Sequence, residues 1–206
     1  VRPQARKVGI IGLGAGVVAA YGREGDEVVF YEISPKVVEI EKREFRFLAE
    51  SPARIHPVVM GDGRLSLERE LKQRGPRGYD VLGIDAFSGD SIPMHLVTRE
   101  AMALYLQHTK PDGVIVFQAT NRYIDLMPVV KRHANELGLD AVLVSDVPES
   151  SIGASYWLSS TDQILVTRDR ALLAHPRIAE AASEIRDRPD LPTFTDAHHN
   201  LFRILK

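Results

Sequence analysis

Short apolar runs alternate with amphipathic stretches along the whole chain. Val8–Gly12, Glu27–Glu32, Ile55–Met60, Asp80–Asp85, Gly113–Gln118 and Ala141–Ser145 each predict a buried strand. Their near-continuous Val/Ile/Leu content is what a parallel sheet covered on both faces requires. Between them, Pro35–Glu50 places Val37, Val38, Ile40, Phe45 and Leu48 on one helical face. Ser34 is the natural N-cap of that helix, and Pro35 suits its first turn. Thr98–His108 and Tyr123–Leu137 predict two further helices. This β-α alternation implies right-handed crossovers and a doubly wound α/β sandwich.

After Pro148 the rhythm changes. Ser155–Ser160 and Gln163–Thr167 read as strands joined by a Thr161–Asp162 turn, which predicts an antiparallel hairpin closing one sheet edge. The segment Arg170–Lys206 is interrupted by Pro176, Pro189 and Pro192. It predicts one helix, Arg177–Arg188, and an apolar end at Leu201–Leu205. The expectation is one domain over residues 1–206, with 170–206 as a C-terminal extension.

Composition changes this picture mainly by exclusion. The 206 residues carry 26 Lys+Arg against 28 Asp+Glu, a formal charge of −2, so no basic excess exists to neutralise phosphates and no nucleic-acid partner is expected. A 44% hydrophobic fraction argues against a disordered chain. The absence of cysteine removes disulfides, thiolate metal sites and Cys nucleophiles, and fits a reducing, cytoplasmic setting. No apolar run reaches the ~18 residues of a membrane span. The basic start, Val1 to Lys7, leads straight into a strand rather than a secretory leader. Val1 in place of Met is consistent with a piece of a longer chain.

The chemistry gathers at strand ends. Gly12-Leu13-Gly14-Ala15-Gly16 follows the first strand and is expected to open the first helix. Glycines there permit a tight turn and a close ligand approach. Glu32 ends the second strand about 20 residues later, where an acid accepts hydrogen bonds from ribose hydroxyls. The dinucleotide pattern G-x-G-x-x-G would need glycine at position 17, which is Val17. The spacing G-x-G-x-G instead matches folds that take S-adenosylmethionine. Gly61-Asp62-Gly63 follows the third strand, where Asp62 can accept from an adenine amino group or merely serve the turn. Thr109-Lys110-Pro111-Asp112-Gly113 reads as a turn before the fifth strand.

Asp85-Ala86-Phe87-Ser88-Gly89-Asp90-Ser91-Ile92-Pro93 leaves the fourth strand. Ligands of open parallel sheets sit outside the carboxyl ends of the strands, so this loop is expected to face the glycine loop. Two carboxylates there, Asp85 and Asp90, suit a cationic ligand, either a sulfonium or an amine. Asp85 can also take a proton from an amine nucleophile, which must be neutral to attack.

These segments, with Tyr31-Glu32-Ile33-Ser34-Pro35, Gly61-Asp62-Gly63-Arg64, Tyr79-Asp80-Val81 and Ser155-Tyr156-Trp157, resemble the spermidine synthase (aminopropyltransferase) family, from about Val8 to Thr167. The resemblance implies a Rossmann-like class I methyltransferase fold: a mainly parallel seven-stranded sheet with a C-terminal antiparallel hairpin and helices on both faces. It implies that Gly12, Gly14 and Gly16 hold the nucleoside-methionine moiety, Glu32 the ribose and Asp62 the adenine end, with Ile33 and Gly63 also among the cofactor-binding residues. Asp85 would hold the aminopropyl ammonium and assist deprotonation, with Asp90 beside it. The implied reaction transfers an aminopropyl group from decarboxylated S-adenosylmethionine to a small-molecule amine or polyamine, and needs no metal. A homodimer is implied as well.

Three features depart from that pattern. Ser88 stands where the family has a second Asp. The N-terminal strand domain of the family enzymes is not in this chain. The stretch Asp85–Pro93 is similar to a divergent bacterial branch, some of whose members carry a membrane segment in the parent chain. An S-adenosylmethionine-dependent methyltransferase and a non-catalytic nucleoside-binding module therefore stand as alternatives. Two loop acids repel the methionine carboxylate that a methyl donor retains. Elsewhere, Asp196, His198 and His199 lack the spacing of a helix-borne metal pair, and Thr195-Asp196 is expected to serve structure or a lid. Ser88 and Ser91 lack a serine-hydrolase elbow. Trp157 reads as a core aromatic, and Gln118 as a residue within reach of substrate.

Overall fold

Valine-rich strands and glycine-punctuated turns place a parallel sheet at the start of the chain. The computed structural model describes residues 4–86, 92–146 and 160–206. Contacts divide the chain into two compact units, Val1–Phe87 with Ala103–Ile115, and Ser88–Met102 with Val116–Lys206.

In the first unit, β1 (Lys7–Ile11) and β2 (Glu27–Glu32) are flanked by β3 (Arg54–Ile55) and β4 (Val59–Met60) on the β2 side and by β5 (Tyr79–Ile84) on the β1 side. The pairs β1·β2, β1·β5, β2·β3 and β2·β4 are all parallel. From Val28 to Glu32 every residue of β2 is buried, as the apolar run requires. The expected strand Ile55–Met60 is split into β3 and β4. Pro57 between them has no N–H for the ladder, so pairing stops at His56, whose N–H donates to the Val28 carbonyl, and resumes at Val59.

The helices show how far local signals reach. α1 (Pro35–Glu44) begins as expected, with the Ser34 hydroxyl accepting from the Val37 N–H. It ends six residues before Glu50, because Phe45 is extended. The glycine loop opens a five-residue 3-10 turn, Val17–Tyr21, rather than a full helix. Gly22 ends that turn in an extended conformation, and a Cβ on it would lie 2.5 Å from that of Ala53. α2 (Gly63–Arg74) was not predicted by periodicity. Its buried residues include Arg64, Ser66 and Glu70, so its inward face carries no continuous apolar stripe.

Two elements run through both units, α3 (Arg99–His108) and β6 (Thr109–Gln118). The segment Thr109–Gly113, expected as a turn, is the first half of β6, with Lys110, Pro111 and Asp112 exposed. Lys110 donates to Asp80 at 2.8 Å.

In the second unit, α4 (Met127–Glu136) is followed by β7 (Asp140–Asp146) and β8 (Thr161–Thr167), antiparallel in register from Asp140↔Thr167 to Asp146↔Thr161. The antiparallel ending holds, but its partners differ from those expected. Thr161 and Asp162 are strand residues, not a turn. The Asp162 N–H donates to Thr120, its carbonyl accepts from Ala119, and its carboxylate accepts from Ser145, which ties it on both sides. The expected partner strand, Ser155–Ser160, and Trp157 lie outside the described residues, Ser160 excepted. The expected helix Arg177–Arg188 is reduced to α6 (Pro176–Ala179), after α5 (Arg170–Leu173). β9 (Ala182–Glu184) then pairs antiparallel with β7. At the apolar end, Ile204 is fully buried whereas Leu205 and Phe202 are exposed. Nine strands are thus described instead of seven.

His133 of α4 is buried, with Nε2 donating to the Val97 carbonyl at 3.0 Å. Its Nδ1 has no partner among the described residues. Burial pushes its pKa below the ordinary 6.5. The unfolded chain therefore binds a proton that the folded chain refuses, and this group's stabilising contribution is full above 6.5 and lost as pH falls. The midpoint of thermal unfolding is expected to drop between pH 7.5 and 5, and to drop less in His133→Gln. Equal slopes in the two proteins would contradict this.

Candidate functional site

The site is built from the carboxyl ends of parallel strands in the first unit. At the end of β1, Gly12 has φ +102°, and a Cβ there would lie 2.2 Å from the Asp85 carbonyl oxygen. Only glycine permits this approach. Gly16 has φ +76°, and a Cβ there would meet Leu48 at 2.2 Å. Gly14 faces open space. The loop is thus pressed onto the protein at both ends and clear in the middle.

Glu32 sets the loop from the neighbouring strand. Its Oε2 accepts from the Leu13 N–H at 3.0 Å and its Oε1 from the Ser34 N–H at 2.8 Å. A carboxylate offers about four acceptor positions, so about two remain for hydroxyl donors. The Glu32 carbonyl accepts from the Gly61 N–H at 2.8 Å, which fixes the start of the next loop. There, Asp62 Oδ1 accepts from Leu65 N–H at 2.9 Å and caps α2. Gly63 lets the helix rest on β1, since a Cβ would lie 2.5 Å from Ile11. Its glycine requirement is one of packing. Exposed apolar residues border these acids: Ile33 follows Glu32, Met60 is its partner in register, and Leu65 follows Asp62 by one helical turn.

Asp85 leaves β5 with its N–H donating to the Ile11 carbonyl at 2.8 Å. The residue reaches solvent, yet the protein around its carboxyl removes enough water to raise its pKa above the usual aspartate value. A nearby cation would reverse that shift. Asp90, with Phe87, Ser88, Gly89 and Ser91, lies outside the described residues.

The fold thus places Gly12, Gly14, Gly16, Glu32, Ile33, Asp62, Gly63 and Asp85 at one end of the first unit's strands. Gln118 belongs to the second unit, where its side-chain carbonyl accepts from Thr120 and Gln163. Asp196 accepts from the Thr98 hydroxyl at 2.8 Å, and its N–H donates to Glu100, so Thr195-Asp196 tethers the tail. Among the described residues, no group of three His, Asp or Glu is placed to hold a metal ion. A hollow of about 380 Å³ in the second unit is bordered by Lys131, Asp140, Arg170 and Glu184, and no expected site residue lines it. Among the described residues, no helix is long and apolar enough to cross a membrane.

A mainly parallel sheet with a glycine loop after β1, an acid ending β2 and an antiparallel ending defines a Rossmann-like, class I methyltransferase-type α/β fold. Solved structures show the same fold. The spermidine synthase from Thermotoga maritima superposes with a TM-score of 0.60 at 15% identity, over 91% of this chain and 63% of that one. Human methyltransferase-like protein 13, solved in complex with SAH, gives 0.58 at 18% identity, over 84% and 73%. In sequence, the chain is 36% identical over 121 residues to the polyamine aminopropyltransferase of Vibrio vulnificus (strain CMCP6), covering 55% of this chain. It spans 38% of that relative's length. No family model matches. In sequence the chain is thus similar to a polyamine aminopropyltransferase over about half of its length, and in fold to a spermidine synthase and a methyltransferase alike.

Proposed function

We propose that this chain is an aminopropyltransferase-type domain that binds a sulfonium nucleoside and alkylates a small amine or polyamine. The observation that carries the reading is the glycine loop held between two acids. Glu32 bonds the Leu13 amide on one side, and the Asp85 backbone presses on Gly12 on the other. Glu32 then holds the ribose, Ile33, Asp62 and Gly63 border the adenine, and Gly12, Gly14 and Gly16 follow the chain leading to sulfur. Asp85, with Asp90, holds the ammonium end and is the catalytic acid-base pair's main member.

The amine nitrogen attacks the carbon bonded to the sulfonium. A C–N bond forms, the C–S bond breaks, and its electron pair neutralises sulfur as methylthioadenosine leaves. The proton lost by the nitrogen passes to Asp85 or through it to water. The reading treats residues 1–206 as one domain with 170–206 as its extension, acting as a homodimer in the cytoplasm. It involves no metal and no nucleic acid.

Calorimetry tests it. Decarboxylated S-adenosylmethionine and methylthioadenosine are expected to bind, the former more tightly than S-adenosylmethionine, whose carboxylate meets Asp85. Binding by none of the three overturns the nucleoside site. The likeness to methyltransferase-like protein 13 favours methyl transfer as a second reading. Formation of S-adenosylhomocysteine with amine acceptors would establish that reading instead.

A further inference from the structure

Behind the site lies a buried polar chain that the proposed chemistry does not use. Tyr31, Tyr79, Glu70 and His108 are all buried within the first unit. Successive strand residues face opposite sides, so Tyr31 and Glu32 diverge from adjacent positions of β2. Glu32 takes the loop amides, while the Tyr31 ring reaches Glu70 of α2 and Tyr79 of β5. Tyr79 can lie across the sheet because its neighbour on β1 is Gly9, where a Cβ would sit 2.7 Å from the ring.

Every proton in this chain has one place to go. Arg77 donates from Nε to Glu70 Oε2 at 2.8 Å and pairs with Oε1 through its terminal nitrogen. Burial opposes charge on Glu70, but the bonds from Arg77 and Tyr31 prevail and hold its carboxyl below the ordinary value. Glu70 is therefore an acceptor only, and Tyr31 must donate to it, at 2.8 Å. Tyr31 has then spent its proton, so in the 2.7 Å contact between the two phenols Tyr79 donates. At the far end, His108 Nδ1 accepts from the Arg77 N–H at 3.2 Å, so Nε2 carries the proton and donates to the Leu67 carbonyl at 3.0 Å. Fully satisfied networks of this kind hold one geometry and tolerate no substitute for it.

The backbone of Tyr31 connects this chain to the site, because its carbonyl accepts the Gly12 N–H at 2.8 Å. We propose that Tyr31 is a positioning residue: its hydroxyl, anchored by the bond it donates to Glu70, fixes the carbonyl that receives the Gly12 amide and so sets the glycine loop. The role in ligand binding rests on the reading of that loop as the nucleoside site. The clamp itself does not.

Amide hydrogen exchange, followed residue by residue in the ligand-free chain, separates the two. Tyr31→Phe keeps the ring and removes the hydroxyl. It is expected to speed exchange of the Gly12 amide by roughly tenfold and to weaken methylthioadenosine binding by a similar factor, the scale of one buried hydrogen bond. Tyr79→Phe removes a donor but leaves the bond from Tyr31 to Glu70. It is expected to lower the unfolding temperature as Tyr31→Phe does, yet leave Gly12 exchange and the Kd near wild type. Should Tyr31→Phe fail to fold, Glu70→Gln is expected to show the same loosening of Gly12. Unchanged Gly12 exchange, or equal effects from the two tyrosine variants, overturns the proposal. Faster exchange at Gly12 in a protein whose wild type binds no methylthioadenosine supports the clamp and overturns the nucleoside reading.

Discussion

Asp85→Asn is expected to lower aminopropyl transfer by about 10²–10⁴-fold, the range spanned by a positioned acid-base group. The substitution keeps the size of the side chain and the Asp85 N–H bond to the Ile11 carbonyl, so the loop's backbone is retained. What it removes is the negative charge and the proton acceptor. Methylthioadenosine, which has no ammonium, should bind the variant as it binds wild type, whereas decarboxylated S-adenosylmethionine should bind less well. Transfer followed by methylthioadenosine release, together with calorimetry on both ligands, checks this. Full transfer activity in the variant would remove Asp85 from the mechanism. The pH profile carries the same signature. Withdrawal from water raises the Asp85 pKa, and its ionised form is the one that accepts a proton. The value of kcat/KM, which follows the free enzyme, should therefore fall on the acid side through a pKa above the usual 3.8, and Asp85→Asn should lose that limb.

Gly12→Ala should be the most damaging change in the loop. The new methyl would have to occupy a point 2.2 Å from the Asp85 carbonyl oxygen, on a backbone with φ +102°. Neither β1 nor β5 can yield, because the Asp85 and Gly12 amides are both engaged in the sheet's own bonds. A strained backbone of this sort costs about 1–3 kcal/mol, before any cost of the overlap. Nucleoside affinity is expected to be lost and the unfolding temperature lowered. Gly14→Ala is the matching control. Position 14 also has a positive φ, +54°, but open space around it, so the change should lower stability less than Gly12→Ala does while still weakening binding. A Gly12→Ala protein with wild-type unfolding would contradict the packing described.

Much of this site could be read from the chain because its parts obey local rules. Glu32 stands out in the sequence about 20 residues from Gly12 at the end of an apolar strand, and in the structure it accepts from the Leu13 amide of the loop. Ser34-Pro35 starts α1 because capping depends only on neighbouring residues. α2 was hidden for a physical reason. Its buried positions include Arg64, Ser66 and Glu70, and the burial of Glu70 is made tolerable by Arg77 and by Tyr31, distant in sequence. The same reason conceals the tyrosine clamp, since Tyr31 in an apolar run looks like core until Glu70 and Tyr79 are seen beside it. Thr161-Asp162 looks like a turn until Thr120 and Ser145 are seen to hold Asp162 in a strand. Local chemistry is visible in sequence, and a polar group paired at long range is not.

The bonds from Glu32 to the Leu13 and Ser34 amides have a consequence for the thermodynamics of recognition. They shape the loop from within the protein, so no ligand is needed to fold it. Ordering a flexible loop and its side chains on binding consumes about 0.5–1.5 kcal/mol for each immobilised side chain, and a loop already ordered is spared that entropy loss. An adenosine ligand should accordingly meet a preorganised surface and lose little of its affinity to ordering of the loop.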